Sequence, residues 1–77
     1  MDNNDVTWTW EHRAKGESMF GERSDQVYSA EIYIGAFGAW IWDVYKNIKG
    51  YPTFVQGGTS STEENAKTDV ESYARLG

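Results

Sequence analysis

The sequence predicts an α+β domain in which three to four antiparallel strands form a sheet and one C-terminal helix packs on one of its faces. Two observations lead to this prediction. In the segments 6–13 and 27–34 apolar and polar residues alternate, which is the period of a strand. After residue 58 the apolar residues recur with a helical period, so the chain changes from strands to a helix.

Length and composition limit the class of protein. A chain of 77 residues forms one domain, near the size at which a single hydrophobic core is only just sufficient. It has no cysteine, so we expect a reducing compartment, and its four Trp, five Tyr and three Phe predict an aromatic core. No apolar run has the roughly 20 residues that a membrane span needs, and the acidic start does not resemble a signal peptide. We therefore expect a cytoplasmic protein that does not enter a membrane.

The charge balance of the chain points away from nucleic acid. Twelve acidic and seven basic residues give a net charge of −5. Binding to a phosphate backbone needs clustered Lys and Arg, so this balance disfavours nucleic acid and suits a basic protein partner.

The N-terminal third is predicted to hold one strand between two irregular segments. Residues 1–5 read as a disordered arm, and VTWTWEHR (6–13) as a half-buried strand with Val6, Trp8, Trp10 and His12 on one face. Residues 14–26 contain two glycines and mixed charges, which predicts a mobile loop. Met19 and Phe20 within it either plug the core or form an exposed tip.

The central segment predicts a hairpin between VYSAEIYI (27–34) and AWIWDVYK (39–46). Gly38 ends the connecting AFG at the position where a three-residue loop favours a left-handed glycine. A two-residue loop would bring Asp43 onto the apolar face with Ala30, so we prefer the longer loop. The resulting cross-strand pairs are Ile34–Trp40, Ile32–Trp42 and Ala30–Val44 on one face, and Tyr33–Ile41 and Glu31–Asp43 on the other.

The C-terminal third predicts a turn in NIKGYP, a short edge strand in TFVQ and a helix over residues 61–76. Ser61 is the expected N-cap, with Glu64 completing a capping box. One apolar stripe on this helix, formed by Ala66, Val70, Tyr73 and Ala74, can cover one sheet face. The best candidate face carries Trp8, Trp10, Ile32, Ile34, Trp40, Trp42 and Val44.

The opposite sheet face is the predicted binding site. Tyr33, Ile41 and Tyr45 form an apolar stripe there, edged by Glu31 and Asp43. An exposed apolar patch with a polar rim usually marks an interaction surface, and Tyr is enriched at interfaces. We predict that these five residues bind a partner protein. Two alternatives remain open: the loop over residues 14–26 covers the face, or a second copy of the chain does.

Glu31 and Asp43, predicted to stand opposite each other, allow three interpretations. Like charges in this position destabilise a sheet by about 0.2–1 kcal/mol. The preferred interpretation is that both are solvated or bridged by Lys46 or Arg13. A socket for a partner's Arg or Lys ranks second, and a general acid–base pair third.

No catalytic, cofactor or metal site is predicted. His12 is the sole histidine, and a single histidine at a strand end is more often structural than catalytic. Neither a second histidine nor a cysteine is present for a zinc site. Ser60 and Ser61 belong to the helix start and have no histidine placed to activate them. We expect a protein that is not an enzyme and has no cofactor.

The C-terminal half resembles the sheet-plus-helix layout of ethylene-response-factor DNA-binding domains and integrase N-terminal domains. GTSSTEENA (58–66) is similar to their strand exit and helix start, and Trp40 matches a core tryptophan. The resemblance implies their fold. It does not extend to DNA recognition, because Glu31 and Asp43 stand on a sheet that presents arginines in that family, and Ser60 replaces its aromatic residue.

The whole chain also resembles short phage and prophage proteins that combine a W-x-W strand with a terminal helix rich in Glu, Ala and Lys. The resemblance implies an accessory or inhibitory protein that acts on a host factor. Two other functions remain open: a sheet-type nucleic-acid-binding domain with a basic rim, and a structural homodimer that uses the second sheet face as its interface. The residues expected in that rim are Lys15, Arg23, Lys46 and Lys49.

Overall fold

The computed structural model of the chain describes residues 6–13 and 18–76 as a five-stranded sheet and one helix. All neighbouring strands are antiparallel, and their order in space is their order in the chain. The predicted α+β class is confirmed, whereas the sheet has five strands rather than three or four. The elements are β1 (Trp8–His12), β2 (Ser18–Arg23), β3 (Tyr28–Ile34), β4 (Trp40–Ile48), β5 (Tyr51–Ser60) and α1 (Glu63–Leu76).

Strand β2 corrects the prediction of a mobile loop over residues 14–26. It pairs with β1 on one side and β3 on the other, so it is an interior strand. Met19 is only 4% exposed and belongs to the core, while Phe20 faces the other side of the sheet. Residues 14–17 of the predicted loop, like the predicted arm over residues 1–5, lie outside the described residues.

The hairpin between β3 and β4 has the predicted register. All five predicted cross-strand pairs are present, from Ile34–Trp40 to Ala30–Val44. Gly38 has the expected positive φ of 78°, and Phe37 beside it also has a positive φ, of 62°. The backbone N–H of Gly35 donates to Ala39, which closes the loop around the predicted AFG segment.

Strand β5 lies at the sheet edge, as predicted for TFVQ, but it is ten residues long. It follows a tight turn in which Lys49 and Gly50 both have positive φ, the pattern that suits the twist of a hairpin. The pairing with β4 shifts between Val44 and Tyr45. Val55 is the extra residue of this bulge, and the shift places Phe54 opposite Tyr45.

The helix packs on the predicted face and forms the core with it. Ala66, Val70 and Ala74 are at most 1% exposed and join Ile32 and Val44 of the sheet in one buried cluster. At the edge of this face Ile34 stays 45% exposed, so the cover is incomplete there. Among the described residues, no helix is long and apolar enough to cross a bilayer.

Polar contacts fix both ends of α1. The Oγ1 of Thr62 accepts a 3.0 Å bond from the Asn65 N–H, so Thr62 is the N-cap and the prediction of Ser61 is wrong by one position. The Nε1 of Trp10 donates to Glu71 over 2.9 Å. At the other end the Arg23 guanidinium donates to the carbonyl of Ala74 over 3.2 Å, which ties the last turn to β2.

Candidate functional site: the second sheet face

The second face is the side of the sheet turned away from α1. None of the described helices and strands lies over it, because α1 contacts β3, β4 and β5 from the core side. The pairing register arranges its side chains in three transverse rows. From one edge to the other the rows are Ser18, Tyr33, Ile41 and Thr59; Glu11, Phe20, Glu31, Asp43 and Gly57; and Thr9, Glu22, Ser29, Tyr45 and Phe54.

All five predicted binding residues, Glu31, Tyr33, Ile41, Asp43 and Tyr45, lie together on this face, and each is partly exposed. Their common placement follows from the β3–β4 register alone. Whether they bind a partner stays a prediction.

Two further aromatic residues extend the predicted stripe. Phe20 lies beside Glu31, and Phe54, which is 57% exposed, lies beside Tyr45. The rings of Tyr45 and Phe54 meet edge to face with centroids 6.0 Å apart. Sequence reasoning missed Phe20 because β2 was read as a loop. It missed Phe54 because the bulge at Val55 sets the face on which that residue lies.

An arginine of the chain already lies on this face. The guanidinium of Arg13 is 5.1 Å from the centre of the Phe20 ring, and its Nη2 is 3.2 Å from Glu31 Oε2. Arg13, one of the two cations considered for a bridge between Glu31 and Asp43, thus pairs with Glu31. Lys46, the other cation considered for that role, lies on the core side, 5.8 Å from the centre of the Tyr28 ring.

Asp43 is held by a tyrosine rather than by a cation. The hydroxyl of Tyr33 donates to Asp43 Oδ2 over 3.1 Å. Burial, and then this hydrogen bond, raise the pKa of Tyr33. Burial, and then the charges of Asp43 and Glu31, raise the pKa of Tyr45. Both tyrosines therefore keep their protons at neutral pH. A carboxylate has about four acceptor positions, so one donor leaves Asp43 able to accept more.

Gly57 lies opposite Asp43 on β5, and its surroundings are tightly packed. A Cβ placed on Gly57 would lie 3.2 Å from Asp43 Oδ1, 3.3 Å from Phe54 Cζ and 3.4 Å from the Trp42 carbonyl oxygen. A side chain at this position would therefore press on a carboxylate oxygen and an aromatic ring, which favours glycine here.

A depression of about 200 Å³ opens beside the β2–β3 and β4–β5 turns. Its lining includes Phe20, Glu22 and Ser29 from the second face, together with Asn47 and Pro52. This end of the second face is thus contoured rather than flat.

The described residues do not include a group of three or more His, Asp or Glu that would hold a metal ion. His12 Nε2 lies 3.5 Å from Glu63 Oε2, where it links β1 to the first turn of the helix. Ser60 donates a 2.5 Å hydrogen bond to Asp69, which joins the end of β5 to α1. These contacts give His12 and Ser60 structural partners.

Comparison of this chain with protein-family models, curated proteins and solved structures finds no match. The resemblances to ethylene-response-factor and integrase domains and to phage accessory proteins therefore stay predictions. What can be said of function rests on the chemistry of the second face.

Proposed function

We propose that this chain is a small non-catalytic protein-binding module that holds a basic segment of another protein on its second sheet face. The observation that carries the proposal is an aromatic and acidic sheet face over which no described element lies. The core side, by contrast, has its own cover in α1.

The apolar part of the face supports contact with a protein. Phe20, Tyr33, Ile41, Tyr45 and Phe54 come from four neighbouring strands and form one surface. Aromatic residues on a rigid sheet lose little conformational freedom on binding, which is why they dominate binding energies at many interfaces.

The charged part supports a basic partner. Glu11, Glu22, Glu31 and Asp43 lie on the second face, and among the described residues Arg13 is the cation that pairs with one of them, Glu31. Complementary charge accelerates association and selects among partners. Within this proposal the partner is a host factor, and the chain is a phage or prophage accessory protein that inhibits it in the host cytoplasm.

The basic rim expected for a nucleic-acid-binding domain is not formed by the described residues. Arg23 pairs with Asp25 over 2.8 Å, and Lys46 lies on the core side. Lys49 is in the β4–β5 turn, and Lys15 is outside the described residues. This arrangement favours a protein partner over a phosphate backbone.

The test uses the purified chain as bait in cell extract, beside a Tyr33→Ser, Ile41→Ser double variant. The matched control is an Ile48→Ser, Tyr51→Ser double variant, which removes apolar side chains that are 45% and 74% exposed at the β4–β5 turn. We expect wild type and control to retain the same basic protein and the face variant to lose it. Retention by the wild type and by both variants alike would contradict the proposal.

Sedimentation of the same three proteins separates the proposal from a homodimer. We expect a folded monomer in each case. A wild-type dimer that becomes a folded monomer in the face variant would show that the second face is a self-interface, and the proposal would be wrong. If the face variant does not fold, Tyr45→Gln replaces it, because this change alters one partly exposed side chain only.

A further inference from the structure

The tip of the β3–β4 hairpin presents a phenylalanine to solvent. Phe37 is fully exposed, at 105% of the reference area for its residue type. The next most exposed large apolar side chain among the described residues is Tyr51, at 74%. Residues 32–42, which include the tip, carry no charge. Burial within the protein therefore does not explain why an aromatic residue occupies this position.

The backbone of Phe37 is strained. The N–H of Ala39 donates to the carbonyl of Ala36 over 3.3 Å, and the two residues between them, Phe37 and Gly38, have φ values of 62° and 78°. Positive φ at both central positions is the pattern of a type I′ turn, which favours Asn, Asp or Gly at the first of them. A bulky side chain is uncommon there, because its Cβ crowds the backbone. Asparagine would suit the turn better than phenylalanine does.

The loop holds this ring beside the second face. The N–H of Gly35 donates to the carbonyl of Ala39 over 2.7 Å, which adds a second hydrogen bond across the loop. A Cβ on Gly35 would lie 2.5 Å from Cδ1 of Ile41, so Ile41 of the second face lies directly against the loop backbone. The tip is thus continuous with the second face. A side chain on a loop that is already ordered costs little conformational entropy on binding.

We propose that Phe37 is an anchor that inserts into an apolar pocket of the partner protein whose basic segment lies on the second face. Such a pocket removes the ring from water, a gain that Phe37 does not obtain within its own fold. A strained residue with an exposed side chain is typical of a binding site. The inference rests on the proposed function for the partner, and it adds a contact outside the five predicted binding residues.

The charges around the tip favour a protein pocket over a membrane. An exposed aromatic side chain can also enter a membrane interface, but stable attachment needs a second contribution, commonly Lys or Arg beside anionic lipids. The residues that bound the uncharged segment are Glu31 and Asp43, and the chain has a net charge of −5. These charges oppose an anionic membrane and suit a pocket that lies beside a basic segment.

The first experiment compares Phe37→Asn with Tyr51→Asn, a matched control at the opposite end of β4. Each full chain is titrated by calorimetry with the basic protein that the wild type retains from extract. We expect Phe37→Asn to weaken binding about tenfold or more, as for the loss of a buried aromatic anchor, and Tyr51→Asn to leave it unchanged. The Tm of Phe37→Asn should equal or exceed that of the wild type, because asparagine suits the turn.

The second experiment locates the contact. The photoreactive residue p-benzoylphenylalanine is placed at position 37 in one sample and at position 51 in another, and both are irradiated in cell extract that retains its membranes. We expect position 37 alone to form an adduct with the partner, at residues that line an apolar pocket. An excess of wild type should suppress this adduct, and an excess of Phe37→Asn should suppress it much less. Vesicles of phosphatidylcholine and phosphatidylglycerol should not sediment with the chain.

Four outcomes overturn the inference. They are an unchanged affinity in Phe37→Asn, a lowered Tm in that variant, adducts at position 37 confined to lipid or to a second copy of the chain, and vesicle binding that Phe37→Asn abolishes. The proposed function stands in each case if the Tyr33→Ser, Ile41→Ser variant still loses the partner. If that variant retains the partner and Phe37→Asn loses it, the proposed function fails and the anchor stands. If the wild type retains no protein and forms no adduct, both are wrong.

Discussion

Replacing Gly21 by alanine should destabilise the protein although the position lies inside a strand. A Cβ on Gly21 would lie 2.5 Å from both Cε3 and Cζ3 of Trp10, whereas carbon atoms in contact are normally about 3.5–4.0 Å apart. The indole would have to retreat by about 1 Å. Its stacking on Trp8, with ring centroids 5.4 Å apart, and its hydrogen bond to Glu71 both resist that movement.

The sign of the effect follows from two opposing contributions. A Gly→Ala change stabilises by about 0.4–1 kcal/mol where the backbone tolerates it, because the unfolded chain loses freedom. Overpacking a fitted site costs about 1–3 kcal/mol. We expect Gly21→Ala to lower the free energy of unfolding by about 1–2 kcal/mol, and the Tm by about 5–15 °C for a domain of this size.

A double-mutant cycle shows whether the indole causes the loss. Urea unfolding is measured for wild type, Gly21→Ala, Trp10→Leu and the double variant, by far-UV circular dichroism. In the Trp10→Leu background Gly21→Ala should be neutral or stabilising, since the ring is gone. An equal cost in both backgrounds would refute the reasoning.

Three other changes test single contacts. Thr62→Ala should cost about 1 kcal/mol in urea unfolding, and Ser61→Ala less, because Thr62 caps the backbone of α1. The Arg23 hydrogen bond lowers the pKa of Asp25 below 3.8. The Arg23–Asp25 pair therefore stabilises the fold above pH 3.8, and this stabilisation is lost as the pH falls through the lowered pKa. In Arg23→Met this pH-dependent loss should vanish from acid unfolding curves. The pKa of Tyr33 is raised above 10.0. The contribution of protonated Tyr33 to stability is therefore complete below pH 10.0 and lost as the pH rises through the raised pKa. Tyr33→Phe should remove one late-ionising tyrosine from the absorbance titration at alkaline pH.

The sequence was sufficient to predict the register of the central hairpin, because several constraints agreed there. Ile32 and Ile34 had apolar partners on β4 in only one register, and Gly38 fitted the loop that this register needs. The five residues of the predicted binding site came with the same register. Their placement required no knowledge of the remaining strands.

The missed elements share one physical cause, the size of the tryptophans. The indole of Trp10 lies over Gly21, and that of Trp42 lies over Gly58, so neither position has room for a side chain. In the sequence, a glycine inside a strand cannot be told from a glycine in a loop, because the contact that requires it comes from another strand. For this cause β2 was read as a loop and β5 as a short strand.

The order of the strands also has a consequence for how the chain folds. Each strand pairs with the one just before it, so the sheet can be built in sequence by closing short loops, which favours rapid folding. The helix is the last element and the one that shields the tryptophans. During synthesis a ribosome-bound chain that has emerged only as far as β5 would thus present a bare tryptophan-rich surface. Because α1 follows the strands that it shields, we expect chaperones to bind the chain at that stage.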